Sequence, residues 1–183
     1  VTNGVTWSVP EVHAKDLNGD GNVDVLAAFD NHVYWYENQG GGAFGPQQLI
    51  TDAAASVRSV CTADLDGDGD ADVLSASALD DKIAWYENQG SGVFGSQQVI
   101  TTAADFAHSV YAADVDGDGD LDLFGARYVS TRYGDSVPVP FEDARNGPSN
   151  VLFLNDGGRF VDATAAAGLD AGGGRFSLQG TFG

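Results

Sequence analysis

The feature that most constrains this chain is a nine-residue acidic loop that occurs three times at nearly constant spacing. It reads Asp16-Leu17-Asn18-Gly19-Asp20-Gly21-Asn22-Val23-Asp24, then Asp64-Leu65-Asp66-Gly67-Asp68-Gly69-Asp70-Ala71-Asp72, then Asp114-Val115-Asp116-Gly117-Asp118-Gly119-Asp120-Leu121-Asp122. From Asp16 to Asp64 is 48 residues, and from Asp64 to Asp114 is 50. A period of that length calls for a repeat architecture before any other, because each unit must bury its faces against its neighbours.

The loop chemistry points to a metal. Positions one, three, five and nine carry acid or amide side chains: Asp16, Asn18, Asp20 and Asp24; Asp64, Asp66, Asp68 and Asp72; Asp114, Asp116, Asp118 and Asp122. Position seven (Asn22, Asp70, Asp120) is expected to offer its backbone carbonyl. Clustered carboxylates repel unless a cation sits among them. Oxygen ligands in a loop that glycines let curl suit a hard cation, calcium before magnesium, since magnesium keeps several waters. About three calcium sites are therefore expected. Loop one, with Asn18 in place of an Asp, has one negative charge fewer and is expected to bind more weakly. An EF-hand is excluded, because position twelve would need a Glu and holds Ala27, Ser75 and Gly125. The flanks Val60-Cys61-Thr62-Ala63 and Val73-Leu74-Ser75-Ala76 are also strand-like rather than helical.

Charge narrows the partners. The chain carries a formal net charge of −19 over 183 residues. Nucleic acid and acidic membrane surfaces both need a basic patch, so neither is an expected partner. No run reaches the length of a membrane span, and no signal peptide is visible. The single cysteine, Cys61, allows no internal disulfide and reads as a small buried residue rather than a nucleophile. No Asn-x-Ser/Thr sequon occurs. A chain that starts at Val1 and holds no Met is expected to be a processed product or a fragment.

In order, a lead-in with Trp7 and Val9 precedes repeat one, about residues 12–55. Its segments are Val12 to Lys15, the acidic loop, Val23 to Phe29, a turn at Asp30-Asn31, His32 to Asn38, a Gly-rich turn, and Gln47 to Thr51. That pattern predicts four short strands. Repeat two, about 56–105, copies it closely: Trp35-Tyr36-Glu37-Asn38-Gln39-Gly40 returns as Trp85-Tyr86-Glu87-Asn88-Gln89-Gly90, and Phe44-Gly45 as Phe94-Gly95. Repeat three, about 106–172, carries an insertion at 127–149 with Tyr128, Tyr133 and Phe141, then resumes at Val151 to Asn155. Ala163 to Ala167 reads as a short helical turn, capped by Asp162 and ended by Gly168. Residues 173–183 match the start of a fourth repeat, and their last residues resemble the strand that leads into an acidic loop.

Four strands in each unit of about 50 residues predict an all-β fold, a β-propeller-like array of three blades plus the start of a fourth. It is expected to be incomplete, or completed by association. Within Val33 to Asn38, alternation sets Val33, Trp35 and Glu37 on one face and Tyr34 and Tyr36 on the other. One aromatic set is expected to pack against the next blade.

The Asp-x-Asp-Gly-Asp-Gly-x-x-Asp loop, followed by an aromatic-x-Asn-x-Gly-x-Gly-x-Phe strand and turn, resembles the FG-GAP/VCBS repeats of integrin α-subunits and many bacterial surface proteins. The stretch Ser149 to Gly157, with Thr164 to Leu169 after it, looks like the propellers found beside ASPIC/UnbV domains. The resemblance implies an extracellular or cell-surface setting, structural calcium, and roles in adhesion, matrix or carbohydrate binding.

Three functions follow as expectations. The first is a calcium-stabilised extracellular structural or adhesion module, whose partners are further blades of a longer chain, other copies joined head to tail into a filament, or an extracellular protein or glycan. The second is a lectin-like module, with Trp35 and Trp85 stacking on sugar; against it stands a role for these aromatics in the core between blades. The third, an enzyme such as a polysaccharide lyase, is not expected. His13, His32 and His108 do not cluster in sequence with a nucleophile or an acid pair. The insertion is the place for any protein contact or chemistry.

Overall fold

The computed structural model describes residues 11–128 and 149–170. The lead-in with Trp7 and Val9, most of the insertion with Tyr133 and Phe141, and the start of the fourth repeat lie outside the described residues.

Twelve strands form three four-stranded antiparallel sheets. The first holds β1 (Glu11–Lys15), β2 (Asp24–Phe29), β3 (His32–Tyr36) and β4 (Gln48–Thr51). The second holds β5 (Val57–Ala63), β6 (Asp72–Ser77), β7 (Lys82–Tyr86) and β8 (Gln98–Thr101). The third holds β9 (Ala107–Ala113), β10 (Asp122–Arg127), β11 (Val151–Asp156) and β12 (Arg159–Asp162). In each sheet the strands pair in sequence order, so each repeat is one up-and-down blade. The acidic loop joins the first strand to the second. Its ends are clamped by the pairs Lys15↔Asp24, Ala63↔Asp72 and Ala113↔Asp122.

Alternation decides how the blades stack. Leu26, Ala28, Val33 and Trp35 of blade one pack against Val60, Val73, Ala84 and Tyr86 of blade two. Leu74, Ala76, Ile83 and Trp85 of blade two pack against Val110, Leu123, Val151 and Phe153 of blade three. Every residue of β6 is buried, because the middle blade is covered on both faces. The first strands lie side by side, β5 against both β1 and β9.

Trp35 and Trp85 fill equivalent places. Each makes an edge-to-face contact with the following blade: Trp35 with Phe94 at 6.3 Å and Trp85 with Phe160 at 6.2 Å. The two indoles are 4% and 6% exposed, so they are core residues between blades and not a sugar platform. Gly92 makes the first contact possible, since a Cβ there would lie 2.2 Å from the Trp35 ring.

The connectors repeat as well. The Ser56 N–H donates to Asn31 Oδ1 at 3.0 Å, and the Phe106 N–H donates to Asp81 Oδ1 at 2.8 Å. Ser56 and Phe106 both hold left-handed backbones, with φ of 60° and 52°. That conformation is costly for a side-chain-bearing residue, and here the second-to-third strand turn of the preceding blade grips it.

Blade three departs from the pattern where its sequence does. Leu152 stands at the place of Trp85, and its fourth strand comes early. The chain then makes the expected single turn: Thr164 N–H donates to Asp162 Oδ1 at 2.9 Å, Ala167 N–H to Ala163 O at 2.9 Å, and Gly168 closes it with φ of 72°.

Candidate metal centres

The three acidic loops share most of their internal hydrogen bonds. The position-one carboxylate spans the turn. Asp16 accepts from Gly19 N and Gly21 N, both at 2.8 Å, and Asp64 accepts from Gly67 N at 2.8 Å and Gly69 N at 2.9 Å. Asp114 accepts from Gly117 N at 2.7 Å. Position three accepts from the N–H of position five: Asn18 at 3.1 Å, Asp66 at 3.3 Å and Asp116 at 3.2 Å. Position five accepts from the N–H of position seven: Asp20 at 2.7 Å, Asp68 and Asp118 at 2.9 Å. The glycines at positions four and six all have positive φ, between 75° and 103°, which only glycine adopts without strain.

Position nine is built differently. Asp24, Asp72 and Asp122 open the second strand of each blade and are fully buried. One oxygen accepts the N–H of loop position two: Leu17 at 3.0 Å, Leu65 at 3.0 Å and Val115 at 2.8 Å. The other accepts from the backbone N–H of an Asn two residues past the third strand in blades one and two, or next to its last residue in blade three: Asn38 at 2.8 Å, Asn88 at 2.8 Å and Asn155 at 2.9 Å. Each carboxylate thus ties its loop to its sheet.

Positions one, three and nine converge. Carboxylate oxygens of Asp64, Asp66 and Asp72 lie within 4.8 Å of one another, as do those of Asp114, Asp116 and Asp122. Loop one presents Asp16, Asn18 and Asp24 at these positions, with an amide in the middle. Position five (Asp20, Asp68, Asp118) is not part of the two convergent groups. At position seven the side chains turn away. Asp120 accepts from Gly157 N at 2.8 Å, and Asn22 and Asp70 lie against Gly40 and Gly90.

The electrostatics favour a cation. Burial pushes the Asp72 carboxyl up to about 6; the N–H groups of Asn88 and Leu65 oppose the rise, and the Asp66 charge adds to it. The Trp85 indole N–H helps to hold the charge, although its nitrogen makes no full hydrogen bond. Desolvation also raises Asp116; the Asp118 N–H opposes the rise, and the charges of Asp118, Asp122 and Asp114 add to it. Asp20 is lowered, first by the backbone N–H of Asn22. An all-oxygen set with a buried carboxylate held ionised at a cost fits a hard divalent ion.

A contact that the charge count does not reveal lies beside loop one. Asn18 Nδ2 donates to Glu37 Oε1 at 3.3 Å. Glu37 restores near Asn18 the negative charge that the loop itself lacks.

The Asn residues at the end of the third strand have a second role, which sequence reasoning missed. Asn88 Nδ2 donates to Ala71 O in its own blade at 3.0 Å and to Leu17 O in the preceding loop at 2.7 Å. Asn155 Nδ2 repeats this with Leu121 O at 3.2 Å and Leu65 O at 3.0 Å. The signal available in sequence was recurrence: Asn38, Asn88 and Asn155 keep their place even where the aromatic residues around them change.

The other chemistry-bearing groups sit apart. His13 Nε2 bonds Thr62 Oγ1 at 2.9 Å, and His32 stacks on Tyr34 at 5.4 Å. Burial pushes the Cys61 thiol up to about 12, which leaves no thiolate at neutral pH.

Comparison with known proteins agrees with this geometry. The family described as FG-GAP-like repeat matches residues 16–75 and again residues 64–125. No curated protein matched the chain in sequence. Among solved structures, an Agrocybe aegerita lectin that recognises non-reducing terminal N-acetylglucosamine is similar in fold, with a TM-score of 0.54 and 24% identity. That match covers 81% of this chain and 36% of the lectin, so the chain spans about a third of the length of that protein. A Photorhabdus luminescens Tc holotoxin pore matches with a TM-score of 0.44 and 22% identity, over 82% of this chain and 7% of that one. The Vibrio cholerae biofilm matrix protein Bap1 matches with a TM-score of 0.37 and 17% identity, over 57% of this chain and 16% of that one.

Proposed function

The chain belongs to the FG-GAP-like repeat family, and from that premise we infer that it is a calcium-binding structural or adhesion module working outside the cell. The observation that carries this reading is the convergence of Asp64, Asp66 and Asp72, and of Asp114, Asp116 and Asp122, around two points at equivalent places in the fold. Calcium would be held at positions one, three, five and nine with the carbonyl of position seven, in all three loops. Its chemistry there is charge neutralisation: the ion offsets the repulsion of carboxylates that the fold has already gathered.

Position nine makes the ion structural. The same carboxylate anchors loop and sheet, so an ion beside it stabilises the folded blade and not merely an exposed turn. Millimolar extracellular calcium suits loops of this kind. Among the described residues no helix is long and apolar enough to cross a membrane. A binding role is favoured over catalysis, since the histidines are separated and each is engaged with a neighbouring side chain. Sugar stacking on Trp35 and Trp85 is not favoured, because both are buried between blades.

The test is thermal unfolding with calcium and then with a chelator, together with calorimetric titration of calcium. The expected results are about three sites and a melting temperature lowered by chelation. A chelated protein that melts at the same temperature would overturn the reading.

A further inference from the structure

Two buried donors are left over at the interfaces between blades. Trp35 and Trp85 are both buried, yet among the described residues neither indole nitrogen has a hydrogen-bond acceptor. A buried N–H without an acceptor is costly, and native proteins hold few of them. The same orphan at the same place in two repeats points to an acceptor that the fold supplies.

Register shows what lies beside each nitrogen. Trp35 pairs with Leu26, and Trp85 pairs with Leu74. Partners in an antiparallel pair share a face, and so do residues two apart on one strand. Asp24 and Asp72 stand two residues before those leucines. Each indole therefore shares its face with the buried carboxylate at position nine of its own loop, as a diagonal neighbour within reach of an aromatic side chain. The benzene end of each ring is turned to the next blade. A Cβ on Gly92 would meet Cη2 and Cζ3 of Trp35, and Gly158 faces Cη2 of Trp85. That leaves the nitrogen edge for the start of the second strand, where the Trp85 N–H favours the charged form of Asp72.

The carboxylate has room for this donor. An ionised Asp offers about four lone-pair sites. Asp24 fills one with the N–H of Leu17 and one with that of Asn38; Asp72 does the same with Leu65 and Asn88. A cation and one further donor complete the set. We propose that Trp35 and Trp85 are positioning residues for the metal: when the ion draws the position-nine carboxylate into place, the indole N–H becomes its third donor. Blade three has the buried Leu152 at this place, so Asp122 has no such donor. The chain then holds two kinds of loop, with an indole behind loops one and two and none behind loop three. This inference rests on the calcium reading above. It also gives each ion a contact with the following blade, because the same indoles meet Phe94 and Phe160 edge-to-face.

The experiment removes the donor and keeps the ring. Benzothienylalanine, which carries sulfur in place of the indole N–H, is introduced at position 35 or 85 of the full chain by nonsense suppression. Calcium titrations are followed by calorimetry and by the amide signals of Gly21, Gly69 and Gly119, which assign each affinity to a loop. The isostere at 85 is expected to weaken loop two about tenfold and to leave loop three unchanged; at 35 it should weaken loop one by the same factor. In the parent chain, the indole N–H signals of Trp35 and Trp85 should move downfield between chelator and saturating calcium. An isostere that leaves every affinity as it was, or lowers all three alike, would overturn the proposal. So would indole signals that stay in place while calorimetry counts bound calcium, and that result would leave the calcium reading standing. A chain that binds no calcium would overturn both.

Discussion

Replacing Asn88 by alanine, with Asn38 replaced in parallel, separates the energy of a blade interface from that of a local turn. Both side chains accept from a turn glycine, Gly90 N at 3.2 Å and Gly40 N at 3.0 Å. Both donate to a carbonyl of their own blade, Ala71 O at 3.0 Å and Val23 O at 2.9 Å. These bonds are each worth about 0.5–1.5 kcal/mol net and cancel in the comparison. Asn88 alone makes the 2.7 Å bond to Leu17 O, in a place with no exposure. Its removal strands a buried carbonyl, at a cost of about 1–3 kcal/mol. Asn88→Ala should therefore cost about 2 kcal/mol more than Asn38→Ala, which lowers the melting temperature by a further 4–8 °C or so in a chain of this size. Urea unfolding followed by tryptophan fluorescence in saturating calcium measures both. Equal costs for the two variants would refute the assignment of Asn88 as an interblade staple.

Further outcomes follow from the same comparison of equivalent positions. Gly92→Ala and Gly42→Ala both place a side chain at positive φ, 72° and 83°, for about 1 kcal/mol each. Only Gly92→Ala also meets the Trp35 ring, so it should lose about 1–3 kcal/mol more; equal melting temperatures would count against the packing described. Glu37→Gln should weaken calcium binding at loop one about tenfold, because Asn18 loses the carboxylate that orients its amide. Glu87→Gln should leave loop two nearly unchanged, since Glu87 accepts instead from Gln98 Nε2 at 3.3 Å; calorimetry of the two variants decides this. Asp72 has its carboxyl raised to about 6, so its proton is held more tightly folded than unfolded. That contribution favours the metal-free fold below the unfolded value and is lost as pH rises through about 6. Calcium competes with the same proton, so affinity at loop two should fall about tenfold for each pH unit below about 6, and an affinity constant from pH 7.5 to 5 would contradict it.

What the sequence made legible was whatever repeats locally. The three acidic loops, the four-strand units and the alternation that buries Val33 and Trp35 all depend on neighbours a few residues apart, and the structure has each of them. The turn at Ala163 to Ala167 was readable for the same reason: Asp162 and Gly168 are short-range signals. The interblade role of Asn88 was not, because its partner Leu17 lies 71 residues away and an Asn before Gln-Gly reads as an ordinary turn residue. The charge deficit at Asn18 was visible, but its compensation by Glu37 needed the third strand folded back beside the loop. Blade three was the hardest part to read, since Leu152 replaces an indole and the fourth strand, β12, comes early.

The metal loops and the blade stack share atoms, and this couples the loops to one another. Asp72 stands at the junction: one oxygen holds Leu65 N inside loop two, and the other holds Asn88 N at the end of the third strand. The amide of that same Asn88 crosses to Leu17 O inside loop one. An ion that neutralises Asp64, Asp66 and Asp72 removes the cost of a buried charge at the residue that positions the staple. The staple in turn fixes the backbone of the preceding loop. Calcium at loop two should therefore tighten loop one, and by linkage the reverse holds too. Asn155 relays the same effect from loop three to loop two, through Asp122 and Leu65 O. At blade one the relay reaches Asn38 and has no further loop to grip among the described residues. Its ordering effect then stays within blade one, at Val23 O.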